Sequence, residues 1–231
     1  WLFRAETYYK HFENLITLNQ GQQVTEDDDQ VTTTPFNEFY DTRAYAYGLE
    51  FLFKKTAGRT RGWVGYTYAK TMKHIQKHGW YFPLYDRTHT LNIVGDITIS
   101  LRNNVHFSTA VQASSGQPFT PPIGRYHHWQ AYHDPFMPDW DGYENFLVGR
   151  KNSERLPFYF RLDVGLKQKK SIFGIPYERY LQLINITNHV NPLTYQYRAK
   201  ENRLTGETLG LERAAVPMFP FFFTAGYRIE L

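Results

Sequence analysis

Between residues 90 and 101 the stretch TLNIVGDITISL divides into two sets. Leu91, Ile93, Gly95, Ile97, Ile99 and Leu101 form one set; Thr90, Asn92, Val94, Asp96, Thr98 and Ser100 form the other. A β-strand points alternate side chains to opposite faces, so this is a strand with one apolar and one polar face. A very short connection, RNN at 102–104, leads into a second strand. Alternation alone leaves the inside face open. A soluble sandwich buries the apolar face, whereas a membrane barrel turns it to lipid and lines its lumen with the polar face.

The same period recurs. Tyr45, Tyr47, Leu49, Phe51 and Phe53 oppose Ala46, Gly48, Glu50 and Leu52. Phe160, Leu162, Val164 and Leu166 oppose Tyr159, Arg161, Asp163, Gly165 and Lys167. Phe221, Phe223, Ala225, Tyr227, Ile229 and Leu231 oppose Thr224, Gly226, Arg228 and Glu230. The pattern predicts eight strands, over about 3–18, 40–54, 62–72, 89–101, 105–115, 157–168, 178–188 and 221–231. Helical periodicity is nearly absent. The predicted connections alternate long and short: 19–39, 55–61, 73–88, 102–104, 116–156, 169–177 and 189–220. That puts every long connection at one end, as in outer-membrane barrels.

Composition narrows the class. Aromatic residues make up 18 % of the 231 residues, and Tyr and Phe favour strands. Mean hydropathy is −0.56, and no stretch approaches the ~20 apolar residues of a spanning helix; a barrel strand needs only about 10. There are no cysteines, which excludes disulfides, a thiolate nucleophile and Cys-bound metal. Net charge is +4 without a basic tract, so no nucleic-acid partner is expected. The opening WLFRAETYYK reads as mid-strand, which points to a segment of a longer chain. Tyr8, Tyr9, Tyr40, Trp63, Tyr66, Tyr68, Tyr159 and Tyr180 fall near strand ends, where barrels carry aromatic girdles. The short connections hold Lys55, Arg59, Arg61, Arg102, Lys169 and Lys170 and no acid, with Lys54 and Lys167 beside them; EDDD at 26–29 sits in a long one.

Six segments, in order, resemble the C-terminal part of TonB-dependent outer-membrane receptors. They are AYAYGLEFLFKK, GWVGYTYAKT, PLYDRTHTLNI, SSGQPFTP, RLPFYFRLDVGLKQ and LQLINITNHVNPLTY. Asp86, Arg87, His89, Leu91 and Asn92 match the family's Asp-Arg-x-His-x-Leu-Asn, and Asn185, Asn188 and Asn191 its spaced asparagines. The resemblance implies an all-β, antiparallel transmembrane β-barrel of about eight strands here, the last eight of a 22-stranded barrel. Residues 1–231 are then the C-terminal segment, with the plug domain and the N-terminal barrel strands not present. Leu231 departs from the family's usual terminal Phe.

The implied work is energised uptake of a large scarce nutrient (glycan, peptide or metal chelate) across the outer membrane of a Gram-negative bacterium. No catalysis and no cofactor are expected. Implied partners are the lipid bilayer and lipopolysaccharide, the protein's own plug domain, a TonB-type energising complex reached through the missing N-terminal part, and a surface lipoprotein lid. The competing reading is a self-contained small eight-stranded barrel with a structural or adhesion role. A soluble β-sandwich enzyme or lectin is the third.

Candidate sites follow from the same pattern. His127, His128, Trp129, Tyr132 and His133, in GRYHHWQAYHDPF, form an aromatic and imidazole-rich connection. Such a stretch serves substrate or partner contact, metal binding or plain loop packing; contact is the reading adopted here, and no metal site is assigned. Asn92, Asp96, Arg161, Asp163, Arg228 and Glu230 are lumen-lining candidates on the polar faces. Asp86, Arg87 and His89 read as an ion pair and cap where a loop enters a strand, lacking a neighbouring nucleophile or oxyanion donor. His74 and His78, four apart before Gly79, read as part of a short loop turn. The sequon at 185–187 is expected within a strand.

Overall fold

A computed structural model describes residues 1–27, 30–76, 79–128, 143–201 and 208–229. Within these, the side chains of 18–38, 125–128, 143–146, 199, 201, 208 and 209 lie outside the description. Fifteen strands carry the described chain. The wall is built from β1 (Leu2–Asp27), β2 (Gln30–Lys55), β3 (Thr60–Ile75), β5 (His89–Ser100), β6 (Val105–Ser114), β11 (Tyr159–Ile172), β12 (Ile175–Ile184) and β15 (Phe222–Ile229). The long connections carry β4 (Gly79–Tyr81), β7 (Pro118–Phe119), β8 (Pro122–His128), β9 (Tyr143–Val148), β10 (Glu154–Arg155), β13 (Pro192–Glu201) and β14 (Thr208–Pro217).

The eight wall strands pair in chain order, all antiparallel, as β1-β2-β3-β5-β6-β11-β12-β15; β4 also pairs with β3. The fold is therefore all-β and antiparallel. β1 and β15 each have one neighbour, so among the described strands the sheet is open at both edges.

Directly opposed residues share a face, so the registers trace each face across the wall. On one face Phe3 meets Phe53, Phe53 meets Val64, and Val64 meets Ile93. The line continues from Ile93 to Val111 and Leu162, and in the next layer from Val164 to Leu183 and Phe223. The opposite face carries Glu50, Thr67, Asn92, Gln112, Arg161, Gln182 and Thr224. Two register shifts interrupt the wall ladders, at Phe12/Leu15 and, near a strand end, at Thr98/Ser100, and the first of them protects this phase. Phe12 pairs with Ala44 and Leu15 with Thr42, so β1 spends one extra residue there, with Asn14 at φ 55°. An uninterrupted strand would have flipped every residue beyond it.

Among the described residues, neither face of the mid-wall is covered by a core. Among the described side chains the buried hydrophobic residues are Ala44, Ile75, Tyr81, Ala113 and Leu156, all at the long-connection end. Exposed apolar side chains stud the rest, among them Leu49, Phe51, Ile97, Leu166, Leu181 and Phe223. The accessible surface is 17043 Å², against roughly 11,000 Å² for a compact globular chain of this mass.

All four long connections hold β-ladders where the sequence predicts loops, β3–β4 being a short one. The β1–β2 ladder runs up to the Asp27–Gln30 pair through Thr25–Thr32 and Val24–Thr33, residue types that favour strands. β8–β9 and β13–β14 are hairpins. The short connections are tight as expected, and β11–β12 turns on Phe173 and Gly174, at φ 51° and 82°. Two positive φ values define a type I′ turn, which favours Asn-Gly.

Phe173 is fully exposed and occupies this left-handed position at a cost of about 1–2 kcal/mol. Phe173→Asn is expected to raise the urea midpoint of the refolded protein by the equivalent of about 1 kcal/mol. A lowered midpoint would show that the exposed ring is held by something outside the chain.

Candidate functional site

The long-connection end is the packed part of the molecule. Residues 82–88 leave β4 and return to β5, and Asp86 fills the gap in the ladder. Its Oδ1 accepts the Thr71 amide at 2.8 Å and its Oδ2 pairs with Arg155 at 2.6 Å, and the Asp86 side chain is 1 % exposed. Arg155 also donates to the Gly116 carbonyl at 3.0 Å and lies 4.6 Å from the Phe82 ring centre. Arg87 donates to Ser114 Oγ at 2.8 Å and Gln117 Oε1 at 3.3 Å, over the Tyr159 ring. His89 takes Ser115 through both backbone and side chain, and its ring meets the Tyr66 hydroxyl at 2.8 Å. Asn152, buried and at φ 51°, donates to the Phe82 carbonyl and exchanges bonds with Thr120. The 81–89 and 115–120 segments are thus tied to 152–156 in one polar clamp. Asp86 is a structural ion-pair partner, and its cation is Arg155 rather than the adjacent Arg87.

The polar face of the wall brings together several of the residues singled out from sequence. Asp96 meets Arg61 at 2.9 Å, His106 at 3.5 Å and Lys167 at 3.9 Å. Thr98 Oγ1 reaches His106 Nδ1 at 3.4 Å, the same nitrogen that faces Asp96. A nucleophile relay needs its two partners on different ring nitrogens, so this trio is an ion-pair cluster. Arg161 bonds Asp163 at 2.5–2.9 Å. Arg228 lies opposite Glu178, which Lys169 approaches to 3.6 Å. Asn92 lies opposite Gln112 and borders a recess of 330 Å³ with Arg87, Thr90, Ser114 and Tyr159. A second recess of 370 Å³ near the short connections is lined by Ser108, Lys167, Glu178, Tyr180, Gln182 and Arg228. Asn92, Asp96, Arg161, Asp163 and Arg228 therefore share one face; Glu230 lies outside the described residues.

The remaining candidates divide differently. His127 and His128 end β8, with side chains outside the description, and Trp129, Tyr132 and His133 lie outside the described residues. His74 sits in β3 opposite Trp80, not in a turn, and His78 lies outside the described residues. In EDDD, Asp28 and Asp29 do so too. Among the described residues no three His, Asp or Glu side chains gather as metal ligands would.

β12 ends at Ile184, so the sequon starts a turn rather than lying in a strand. Asn185 is buried; its amide nitrogen donates to the His189 and Phe219 carbonyls, and its backbone N–H to Asp163. Asn188 accepts from the Phe221 amide, and Asn191 both donates to and accepts from the backbone of Phe160. The three spaced asparagines seat the β13–β14 hairpin against β11 and β15.

Sequence reasoning did not find the face of several aromatics. Tyr9, Tyr66 and Tyr68 are on the apolar face, but Tyr8, Tyr40, Trp63, Tyr159 and Tyr180 are on the polar one. Tyr8 lies over Gly48 and Tyr180 over Gly226, where a Cβ would come within 2.9 Å of the ring. Glycine opposite a large ring in the pairing is the available signal. Arg155, Lys151 and Lys73 were also missed, because their partners are remote in sequence. Burial and then the neighbouring Tyr85 push the Tyr81 phenol above its ordinary range.

Comparison with protein-family models, curated proteins and solved structures finds no match for the chain.

Asp86→Asn removes the charge facing Arg155 and is expected to cost about 3 kcal/mol in denaturant unfolding, the low end for a buried pair because Arg155 keeps some water. At Gly116 an added Cβ would lie 1.6 Å from the Leu156 carbonyl oxygen. Gly116→Ala is expected to part the β7–β10 ladder and expose the 116–156 connection to protease, with an unchanged digestion pattern as the contrary result.

Proposed function

We propose that this chain is the C-terminal part of the barrel of a TonB-dependent outer-membrane transporter in a Gram-negative bacterium. Its apolar face meets lipid, its polar face lines the lumen, and its long connections stand outside the cell. The carrying observation is a coreless sheet of eight strands with two chemically distinct faces in unbroken phase. The six ordered sequence resemblances supply the family.

The apolar face supports a membrane setting in its detail. Along β2 it reads Tyr45, Tyr47, Leu49, Phe51 and Phe53. At the long-connection end Trp80 packs on Tyr45 at 5.1 Å and on His74 at 5.0 Å. At the other end Trp1 stacks on Phe53 at 4.9 Å, with Lys55 over the Trp1 ring. The span from Tyr45 to Phe53 matches the about 9–11 residues that a tilted barrel strand needs. Aromatic groups thus bound an apolar band at both ends.

In this reading the lumen charges face water, the plug or the nutrient, and no residue performs covalent chemistry. The hairpins on the long connections offer capture surfaces for a glycan, peptide or chelate, alone or beneath a surface lipoprotein. A TonB-type complex acts through the plug. A self-contained eight-stranded barrel needs a ladder between β1 and β15, and the described strands form none. The free edges suit neighbouring strands of a larger barrel.

Leu181 and Gln182 are adjacent, exposed and on opposite faces. Leu181→Lys is expected to cost about 2–4 kcal/mol in bilayer refolding, and Gln182→Lys close to nothing. Equal tolerance at both positions would overturn the orientation.

A further inference from the structure

Two lysines at the packed end, Lys73 and Lys151, pair with no carboxylate among the described residues. Lys73 stands on the polar face of β3, and its cross-strand neighbours are Ala44 and Tyr81. Lys151 arrives from the connection after β9, and its Nζ lies 4.7 Å from the centre of the same Tyr81 ring. Both lysines are partly buried, and among the described residues neither has a carboxylate within 4 Å. Asp86, the carboxylate of this corner, is engaged by Arg155 and the Thr71 amide. Glu154 points instead toward Arg213 at 3.9 Å. Tyr85, 65 % exposed, sits beside Lys73 with its ring centre 5.8 Å from Nζ, and Leu84 next to it is also exposed.

We propose that Lys73 and Lys151 form an oxyanion-binding site, and that its ligand is a soluble phosphate monoester whose organic part rests on Tyr85 and Leu84. Two like charges held together away from full solvent repel, and a dianion between them replaces that repulsion by two attractions. Lysine suits this task because its ammonium is a compact point charge that can turn toward a tetrahedral oxyanion. Burial and then the Lys73 ammonium push Lys151 below the ordinary lysine range, which is the state an anion would reverse. The polar face directs the site away from the apolar surface, so a soluble ester fits better than a lipid headgroup. The site stands on the meeting of both lysines at Tyr81, Lys73 across the β3–β4 ladder and Lys151 over the ring; its placement in a transport vestibule rests on the reading above.

The test is calorimetric titration of phenyl phosphate into the purified full-length protein in detergent at low salt. Saturable binding is expected, with benzyl alcohol failing to compete. Lys73→Gln and Lys151→Gln should each weaken binding at least tenfold, while Lys170→Gln at the short-connection end leaves it unchanged. Removing one of two repelling cations should not lower the melting temperature, so lost binding cannot be ascribed to unfolding. In the wild type carrying 13C-methylated lysines, the titration midpoint of Lys151 should move to higher pH when phenyl phosphate binds. Absence of saturable binding, an equal loss in Lys170→Gln, or a stationary Lys151 midpoint would overturn the proposal. Displacement of phenyl phosphate by dispersed lipid A would overturn the soluble ligand in favour of a headgroup. These results do not depend on the Leu181 and Gln182 contrast, so the two readings fail separately.

Discussion

Seven antiparallel ladders hold eight strands in one phase, and every other property of the wall depends on that phase. A slip of one residue in any ladder would send Leu, Ile and Phe side chains to the face that carries Asp96, Arg161 and Asp163. The bulge at 13–14 shows how strictly the phase is kept, because it absorbs an extra residue without inverting the strand. The outcome is a sheet with one apolar and one polar face. Among the described residues its apolar face lacks a covering layer, and its polar face carries charges paired across strands. Hydrophobic burial within the chain cannot account for such a sheet, whose own buried apolar residues sit at one end.

That end is held by a different kind of interaction. Asp86, Asn152, Asn185 and Asn191 are buried polar residues whose side chains replace missing backbone partners. Each satisfies strand edges or turn carbonyls where the regular ladders stop. Unpaired backbone groups in a packed rim are costly, so these side chains fix where each long connection leaves the wall. The hairpins beyond are ladders in their own right, attached to the wall through these few polar contacts. Ligand-facing chemistry at Lys73 and Lys151 is carried on the same clamp.

Much of the wall was legible because its signal is local. A period of two over residues 90–101 or 159–167 survives without knowledge of any partner strand, and so does the tight 102–104 turn. The faces of Asn92, Asp96, Arg161, Asp163 and Arg228 followed from that period. What escaped depends on pairing. Residues 19–39 read as a loop because Gly, Gln and Asn weaken the alternation, yet cross-strand Thr and Val pairs carry the ladder onward. The tyrosines at 8 and 180 belong to the polar face because glycines opposite make room for them. Asp86 sits beside Arg87 in sequence but pairs with Arg155, 69 residues away, after two segments fold together. Asn185 looked like a strand residue because the turn it makes requires a positive φ that no local pattern announces.

The central claim is that one face of this wall meets hydrocarbon and the other water. These 231 residues contain no cysteine, so single cysteines can be introduced one at a time along 160–167 without competing thiols within the segment. Each carries a fluorophore in a bilayer and is challenged with a lipid-dissolved quencher and a water-soluble one. The expected result is a period of two: 160, 162, 164 and 166 quenched from the lipid, 161, 163, 165 and 167 from water. Uniform quenching by the aqueous reagent, or an alternation of opposite phase, would contradict it.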